Sequence, residues 1–336
     1  MKLNVNQIKS ITQGAERVSE ANGRIKFFRF NEEEQKLYSK SEFYPKTFSS
    51  AGIHMEFMTD AKAMFIRINT SVATSRSYFS LDVFVNEQYK GSIKNFCDKD
   101  AIGDYTIKQF ELGEFSHNFE LGEEDKKVKL VFPWSVATEL YEIELEAATY
   151  IEPVKKEKKA VFFGDSITNG YDSIYSFNSY VERLSDELNL EAYNKAVGGE
   201  VFIPQLAKIN RCINPDYIFV AYGTNDWSIS EQEDFKKRCF AFYDSLAAKY
   251  PDTLIFAITP IWRADFKGER NFGLFEDVEK YIQEMCLNYN NIKVISGWDF
   301  VPHDENLFAD FRLHPNDDGF SFYYDSLRKE VEKYIK

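Results

Sequence analysis

The sequence predicts two domains of different class. Residues 1–155 read as a β-sandwich, and residues 156–336 as an α/β domain with a parallel sheet between helices. Three observations carry this. Apolar residues alternate at period two along several short segments of the first half. Short apolar runs alternate with segments of helical period in the second half. Between them lies the charged, aperiodic stretch Val154-Lys155-Lys156-Glu157-Lys158-Lys159, which reads as an exposed connector. A chain of 336 residues is long for one domain and natural for two.

In the first half, Tyr78–Val85 places Phe79, Leu81, Val83 and Val85 on one face. Val128, Leu130 and Phe132 share a face, as do Ile143 and Leu145. Gly52–Met58 and Met64–Asn69 are further strands, and Asn86-Glu87-Gln88 reads as a hairpin connection. Many short strands with little helical periodicity suggest a sandwich. No chemical constellation stands out here, because His54 and His117 are isolated. Pro133-Trp134 follows a strand. It reads as a core or domain-interface ring, with a sugar platform as the other reading.

In the second half, Ala160-Val161-Phe162-Phe163 is a buried strand ending at Gly164, and Asp165-Ser166 begins a polar turn. Phe177, Val181, Leu184 and Leu188 follow at helical spacing, then a strand near Glu191–Asn194. Asp216–Tyr222 is a strand ending at Gly223. Ser230 and Glu233 form a capping-box pattern before the helix face Phe235, Cys239, Phe242 and Leu246. Strands at Thr253–Thr259 and Ile292–Ile295 alternate with helices marked by Val278 and Ile282, and by Phe320 and Leu327. This order predicts a parallel sheet whose strand exits share one edge. Ser166, Gly199 and Asn225 all follow strands, so they gather there, where open α/β sheets bind ligands.

The formal net charge of −13 repels phosphate backbones and anionic membrane surfaces, so neither nucleic acid nor membrane is an expected partner. No apolar run approaches the length of a bilayer span. The first residues lack the apolar stretch of a secretory signal. The expected location is therefore cytoplasmic, or secreted if a leader has been removed. Cys97, Cys212, Cys239 and Cys286 are widely spaced. Cys239 and Cys286 fall on apolar helix faces and read as buried free thiols. No phosphate loop and no metal-ligand spacing stands out, so no cofactor and no metal are expected.

A serine hydroxyl needs a base to become a useful nucleophile. Among four histidines, His314 lies in the polar loop Leu313-His314-Pro315-Asn316 before the last helix, displayed as a base should be. Acyl transfer also needs donors aimed at a developing oxyanion. The backbone N–H of Ser166, the Gly198-Gly199 backbone and the Asn225 side-chain amide are candidates. Asp165 and Asp226 sit beside these positions and read as turn-fixing side chains. Trp227, Trp262 and Arg263 follow strand exits and read equally as pocket lining or core, with Trp227 and Trp262 the candidate substrate contacts.

Gly164-Asp165-Ser166, the Gly199 turn, Gly223-Thr224-Asn225-Asp226 and His314-Pro315-Asn316 occur in that order. Together they resemble the SGNH (GDSL-type) hydrolase superfamily, over essentially the whole second half. The resemblance implies an SGNH-type α/β/α domain with Ser166 as nucleophile and His314 as base. It also implies an oxyanion hole from the Ser166 N–H, the Gly199 N–H and the Asn225 side chain. The arrangement of the whole chain is similar to carbohydrate esterase family 2, in which a small jelly-roll precedes the SGNH domain.

One position departs from the pattern. The family places an aspartate three residues before the histidine, and here that residue is Phe311, with Asp310 four residues before. Either a bulge lets Asp310 serve as third member, or a backbone carbonyl orients His314 in a dyad, as in some members of the carbohydrate esterase family. The implied function is hydrolysis of small acyl esters, foremost O-acetyl groups of carbohydrates, with a small ester or acetylated carbohydrate as partner. The alternatives are a lipase or thioesterase on the same machinery, and a carbohydrate-binding protein with a vestigial site.

Overall fold

The computed structural model describes residues 1–97 and 108–335. Its first half holds two antiparallel sheets. One orders the strands Thr12–Gln13, His54–Thr59, Lys126–Val131, Ser80–Val85 and Gln88–Lys94, with Ile151–Pro153 also paired to His54–Thr59. The other orders Arg17–Ala21, Arg24–Phe28, Val136–Glu146, Ala63–Val72 and Glu114–Glu120. The inner faces meet in one core, where Met55, Phe57, Leu81, Val83 and Leu130 pack with Met64, Ile66, Ile68 and Leu140. The hairpin expected at Asn86-Glu87 is a two-residue turn with both residues left-handed, φ +48° and +68°. That conformation matches the twist of the flanking strands.

Two helices of this half, Val5–Ile11 and Glu32–Tyr38, were not expected. At seven residues each they are too short to show an apolar period. Their signal lay in the starts, where Asn4 pairs with Gln7 and Asn31 with Glu34 as capping boxes.

The second half carries a five-stranded parallel sheet in the order Leu190–Asn194, Lys158–Gly164, Tyr217–Ala221, Leu254–Ile258, Ile292–Ile295. Helices Gln232–Lys249 and Glu276–Cys286 cover one face through Phe235, Leu246, Val278 and Ile282. Helices Tyr180–Glu187 and Asp317–Val331 cover the other through Val181, Leu184, Phe320 and Leu327. Strand order reverses beside Lys158–Gly164, so the chain leaves that strand into a crevice. The capping box at Ser230 and Glu233 does not form. The helix begins at Gln232 without a side-chain cap, and Ser230 Oγ accepts from Arg238 Nη2 at 2.6 Å instead. Cys239 and Cys286 are buried free thiols, while Cys97 and Cys212 are exposed.

Polar bonds join the two halves. The buried Lys195 ammonium meets Glu16 at 2.8 Å and Glu34 at 2.9 Å. Trp134 packs between Tyr78 and Tyr171 and donates to Ser173 O at 2.9 Å, so it is an interface ring. His54 Nε2 lies 2.8 Å from Glu182 Oε2. Burial pushes that imidazole well down and Glu182 up to about 8, so the two share a hydrogen bond as neutral groups.

Candidate active site

Strand Lys158–Gly164 ends in a glycine because nothing larger fits: a Cβ on Gly164 would lie 2.2 Å from Thr168 Oγ1. Asp165 then caps the four-residue helix Ser166–Asn169, its Oδ1 accepting from Ile167 N at 3.0 Å. Ser166 is the first residue of that helix, so its N–H has no intrahelical acceptor. Asp165 therefore holds the turn. Burial pushes its carboxyl up to about 7.

His314 Nε2 lies 2.8 Å from Ser166 Oγ, and His314 Nδ1 lies 2.9 Å from Asp310 Oδ2. An ionised carboxylate only accepts, so it calls for a proton on Nδ1 and leaves Nε2 its lone pair. The extra residue of this loop is absorbed at Phe311, which turns left-handed at φ +54° with its ring in solvent. The chain thereby folds around Asp310. Its Oδ1 accepts the N–H groups of Arg312, Leu313 and His314 at 3.1, 2.7 and 3.0 Å. Burial alone would raise the Asp310 carboxyl. The His314 bond and charge, with the loop amides, outweigh it and hold the group well below the usual carboxylate range. Tyr171 stacks on the imidazole at 5.6 Å.

The loop after Leu190–Asn194 brings Gly199 to the same edge at φ +88°, a conformation glycine adopts without strain. The Asn225 amide donates to Glu200 O at 3.0 Å, which fixes its orientation and leaves its second N–H for a ligand. Beneath lies the Glu200 carboxyl, hydrogen-bonded by the hydroxyls of Tyr38 and Tyr222 and pushed up to about 8 by burial. The structure thus brings Ser166, His314 and Asp310 into one hydrogen-bonded chain, with Gly199 in the loop after Leu190–Asn194 and Asn225 in the first turn of the short helix Thr224–Ile229.

Of the two readings open for the tryptophans, pocket lining and core, the structure favours core. Trp227 is fully buried, packs on Phe275 and donates to Gly273 O at 3.0 Å, so its ring is core and not pocket wall. Trp262 is nearly buried and stacks on His303 at 5.3 Å. Arg263 lies between them, its Nη1 donating to Thr224 O at 3.1 Å and Thr224 Oγ1 at 3.0 Å, which braces the Asn225 loop. Asp226 does less for the turn than expected, since its main partner is Arg238 at 3.0 Å.

Several residues of the first half reach this site unannounced by any motif. Arg29 is fully buried and donates to Asn194 O at 2.6 Å and Ala196 O at 3.2 Å, at the root of the Gly199 loop. Lys46 Nζ donates to Gly198 O at 2.6 Å. Phe43 Cε1 and Lys46 Nζ each lie 3.6 Å from the place a Cβ on Gly199 would occupy. Arg76 grips Asp172 behind His314. Among the described residues, one group has metal-ligand proximity, Asp172, Asp310 and His314, with donors within 4.8 Å of one another. Those donors are already engaged by Arg76, Ser166 and each other.

Comparison with known proteins gives the same picture at domain level. The whole chain is similar in fold to a salicylyl-acyltransferase from a tetracycline biosynthetic pathway, at 18% identity and TM-score 0.80, covering 96% of this chain and 94% of that one. It is similar to a family two carbohydrate esterase from Cellvibrio japonicus, at 15% identity and TM-score 0.64, covering 96% and 95%. It is also similar to an acetyl xylan esterase from the rumen bacterium Butyrivibrio proteoclasticus, at 14% identity and TM-score 0.64, covering 99% and 98%. Identities this low speak for shared fold alone. No curated protein matches in sequence. Residues 162–321 match the GDSL-like Lipase/Acylhydrolase family model. That match covers the serine turn, the glycine turn, the asparagine and the histidine loop along one sheet edge, and it lies wholly in the second half, behind an antiparallel β-sandwich.

Proposed function

We propose that this chain is a serine esterase for small acyl esters, foremost the O-acetyl groups of carbohydrates. The observation that carries the reading is the unbroken chain from Ser166 Oγ through His314 to Asp310, at 2.8 and 2.9 Å. His314 Nε2 takes the serine proton as Ser166 Oγ attacks the ester carbonyl. The tetrahedral oxyanion receives the N–H groups of Ser166 and Gly199 and the free N–H of Asn225. His314 returns the proton to the departing alcohol, and water, activated by the same imidazole, releases the acid. Phe43 and Lys46 stand close beside Gly199 and narrow the opening there, which favours a short acyl group. The family-two esterase and acetyl xylan esterase folds support a carbohydrate alcohol.

Ser166→Ala should abolish release of p-nitrophenol from p-nitrophenyl acetate, and full residual turnover would defeat the assignment. A chain-length series separates acetyl preference from lipase or thioesterase chemistry. Labelling by a fluorophosphonate would exclude a vestigial site that only binds sugar. A second reading, acyl transfer to an acceptor alcohol, is favoured by the fold shared with the salicylyl-acyltransferase. It uses the same acyl-enzyme, and product partition between added alcohols and water decides between them.

A further inference from the structure

His314 faces a second carboxylate. Asp172 Oδ2 lies 3.4 Å from His314 Nδ1, just beyond the hydrogen bond that Asp310 makes at 2.9 Å. Asp172 is 1% exposed, so water screens its charge little. Arg76, from the β-sandwich, holds it through two parallel bonds, Nε to Oδ1 at 2.7 Å and Nη2 to Oδ2 at 2.9 Å. The Tyr78 hydroxyl adds a third, to Oδ1 at 3.3 Å. The backbone at Asp172 is left-handed, φ +70°. A glycine would hold that turn without strain, yet a buried carboxylate stands there against the imidazole.

We infer that Asp172 is a second carboxylate serving His314, a positioning residue that stabilises the imidazolium formed when Ser166 gives up its proton, and that Arg76 tempers its charge from the other domain. The inference rests on the serine–histidine reading above. At rest the neutral imidazole, two carboxylates and one guanidinium sum to −1. Proton transfer from Ser166 brings this group to zero, a favourable change in a water-poor site. Without Arg76 the resting sum would be −2, which favours a proton on the imidazole and leaves less of it free as a base. The guanidinium therefore keeps His314 available, and Asp172 helps hold the charge once it forms. The first domain thus completes the catalytic electrostatics.

The test uses the full-length protein and the pH profile of kcat/KM, whose acid limb reports protonation of the base. Asp310, Arg76, Tyr78, Tyr171, Asp165 and Asp317 are the other titratable or charged groups around this pair, and they stay in place in Asp172→Asn. Asparagine also tolerates the left-handed backbone, so this variant keeps the turn, and its Oδ1 can still accept from Arg76. The acid limb should move to lower pH by about one unit, since a charge within about 4–6 Å shifts a neighbour by that order. Arg76→Met should move it the opposite way, and Arg76→Lys, which keeps the charge, should restore it. A residue that only braced the turn would move neither limb.

Asp310→Asn, with Asp172 still present, should lose less than the roughly 10⁴-fold expected when a histidine loses its orienting acid outright. The double variant should fall to that level. If Asp172→Asn leaves the limb unmoved and Asp310→Asn alone falls as far as the double, the inference is overturned while the serine–histidine reading stands. If Ser166→Ala keeps full turnover, the underlying reading fails first. If Arg76→Met does not fold, the Arg76→Lys profile and the Asp172→Asn limb still decide the matter.

Discussion

Arg29→Met isolates what the β-sandwich does for the oxyanion loop. Arg29 is fully buried, and burial lowers its guanidinium to about 10, so it is charged at neutral pH. Three of its bonds are short: to Ser49 O at 2.7 Å, Ser49 Oγ at 2.7 Å and Asn194 O at 2.6 Å. Contacts to Ala196 O and Lys46 O at 3.2 Å are weaker. Methionine keeps much of the side chain's length and removes every donor. Three bonds to a charged donor are worth about 1.5–3 kcal/mol each. Against this, the variant no longer desolvates a cation, a penalty of several kcal/mol. The balance is a loss of about 3 kcal/mol, which is a large share of a stability of about 5–15 kcal/mol.

Urea denaturation followed by tryptophan fluorescence reads this directly, because Trp134 lies between the halves. The same variant should lower kcat for p-nitrophenyl acetate by about tenfold with little change in KM, because a loop displaced by a fraction of an ångström misplaces an oxyanion donor. A midpoint and kcat equal to those of the parent would refute the reasoning. It would mean that the Asn194 and Ser49 carbonyls find other donors and that Arg29 is a bystander.

Three further outcomes follow from the same geometry. Asn225→Ala should lower kcat by about 10²–10³-fold with KM little changed, as loss of one oxyanion donor does; steady-state kinetics on acetyl esters checks it. Burial raises Glu200 from 4.5 to about 8, so the folded chain keeps a proton that the unfolded chain releases. The stability from this group is fully present below 4.5 and is lost as pH rises towards about 8. Burial lowers His54 well below 6.5, so its own gain in stability is complete about one unit above 6.5 and does not oppose this fall near pH 8. Melting temperature should drop there, and the slope should be shallower in Glu200→Gln; an unchanged slope would count against it. Residues 156–336 expressed alone should be unstable and inactive. The surface that the sandwich buries would be bared to water, and Lys195 would lose its ion pairs to Glu16 and Glu34. A soluble fragment with full esterase activity would contradict this.

The parts of the site that the sequence announced are those built within one stretch of chain. Ser166 is placed by the strand before it and the cap beside it, so an apolar run, a glycine and Asp165 were enough to find it. Gly199 and Asn225 each follow a strand, and parallel order alone carried them to the same edge. Asp310 was harder, because its spacing to His314 departs from the family pattern by one residue. The resolution is conformational: a left-handed Phe311 takes up the extra length, and nothing in a phenylalanine signals a positive φ. Trp227 stayed open between pocket and core for a related reason, since its position at a strand exit says nothing of the core that closes over it.

Apart from the interface ring of Trp134, the contribution of the first half was not legible. Arg29, Lys46 and Arg76 look like ordinary surface cations, and each acts on groups more than ninety residues away in sequence. No periodicity or local motif reports such a contact. The sequence even points away from it: His54-Met55-Glu56-Phe57 alternates polar and apolar, yet the strand His54–Thr59 is buried on both faces, although its sheet has only one core to fill. Its second face meets the hydrolase domain, where His54 pairs with Glu182. A sandwich strand whose polar face is also buried is therefore a sign of a docked partner. Here that partner is the domain carrying the serine, and the sandwich is packed against the candidate site through Lys46 and Arg76 rather than appended at a distance from it.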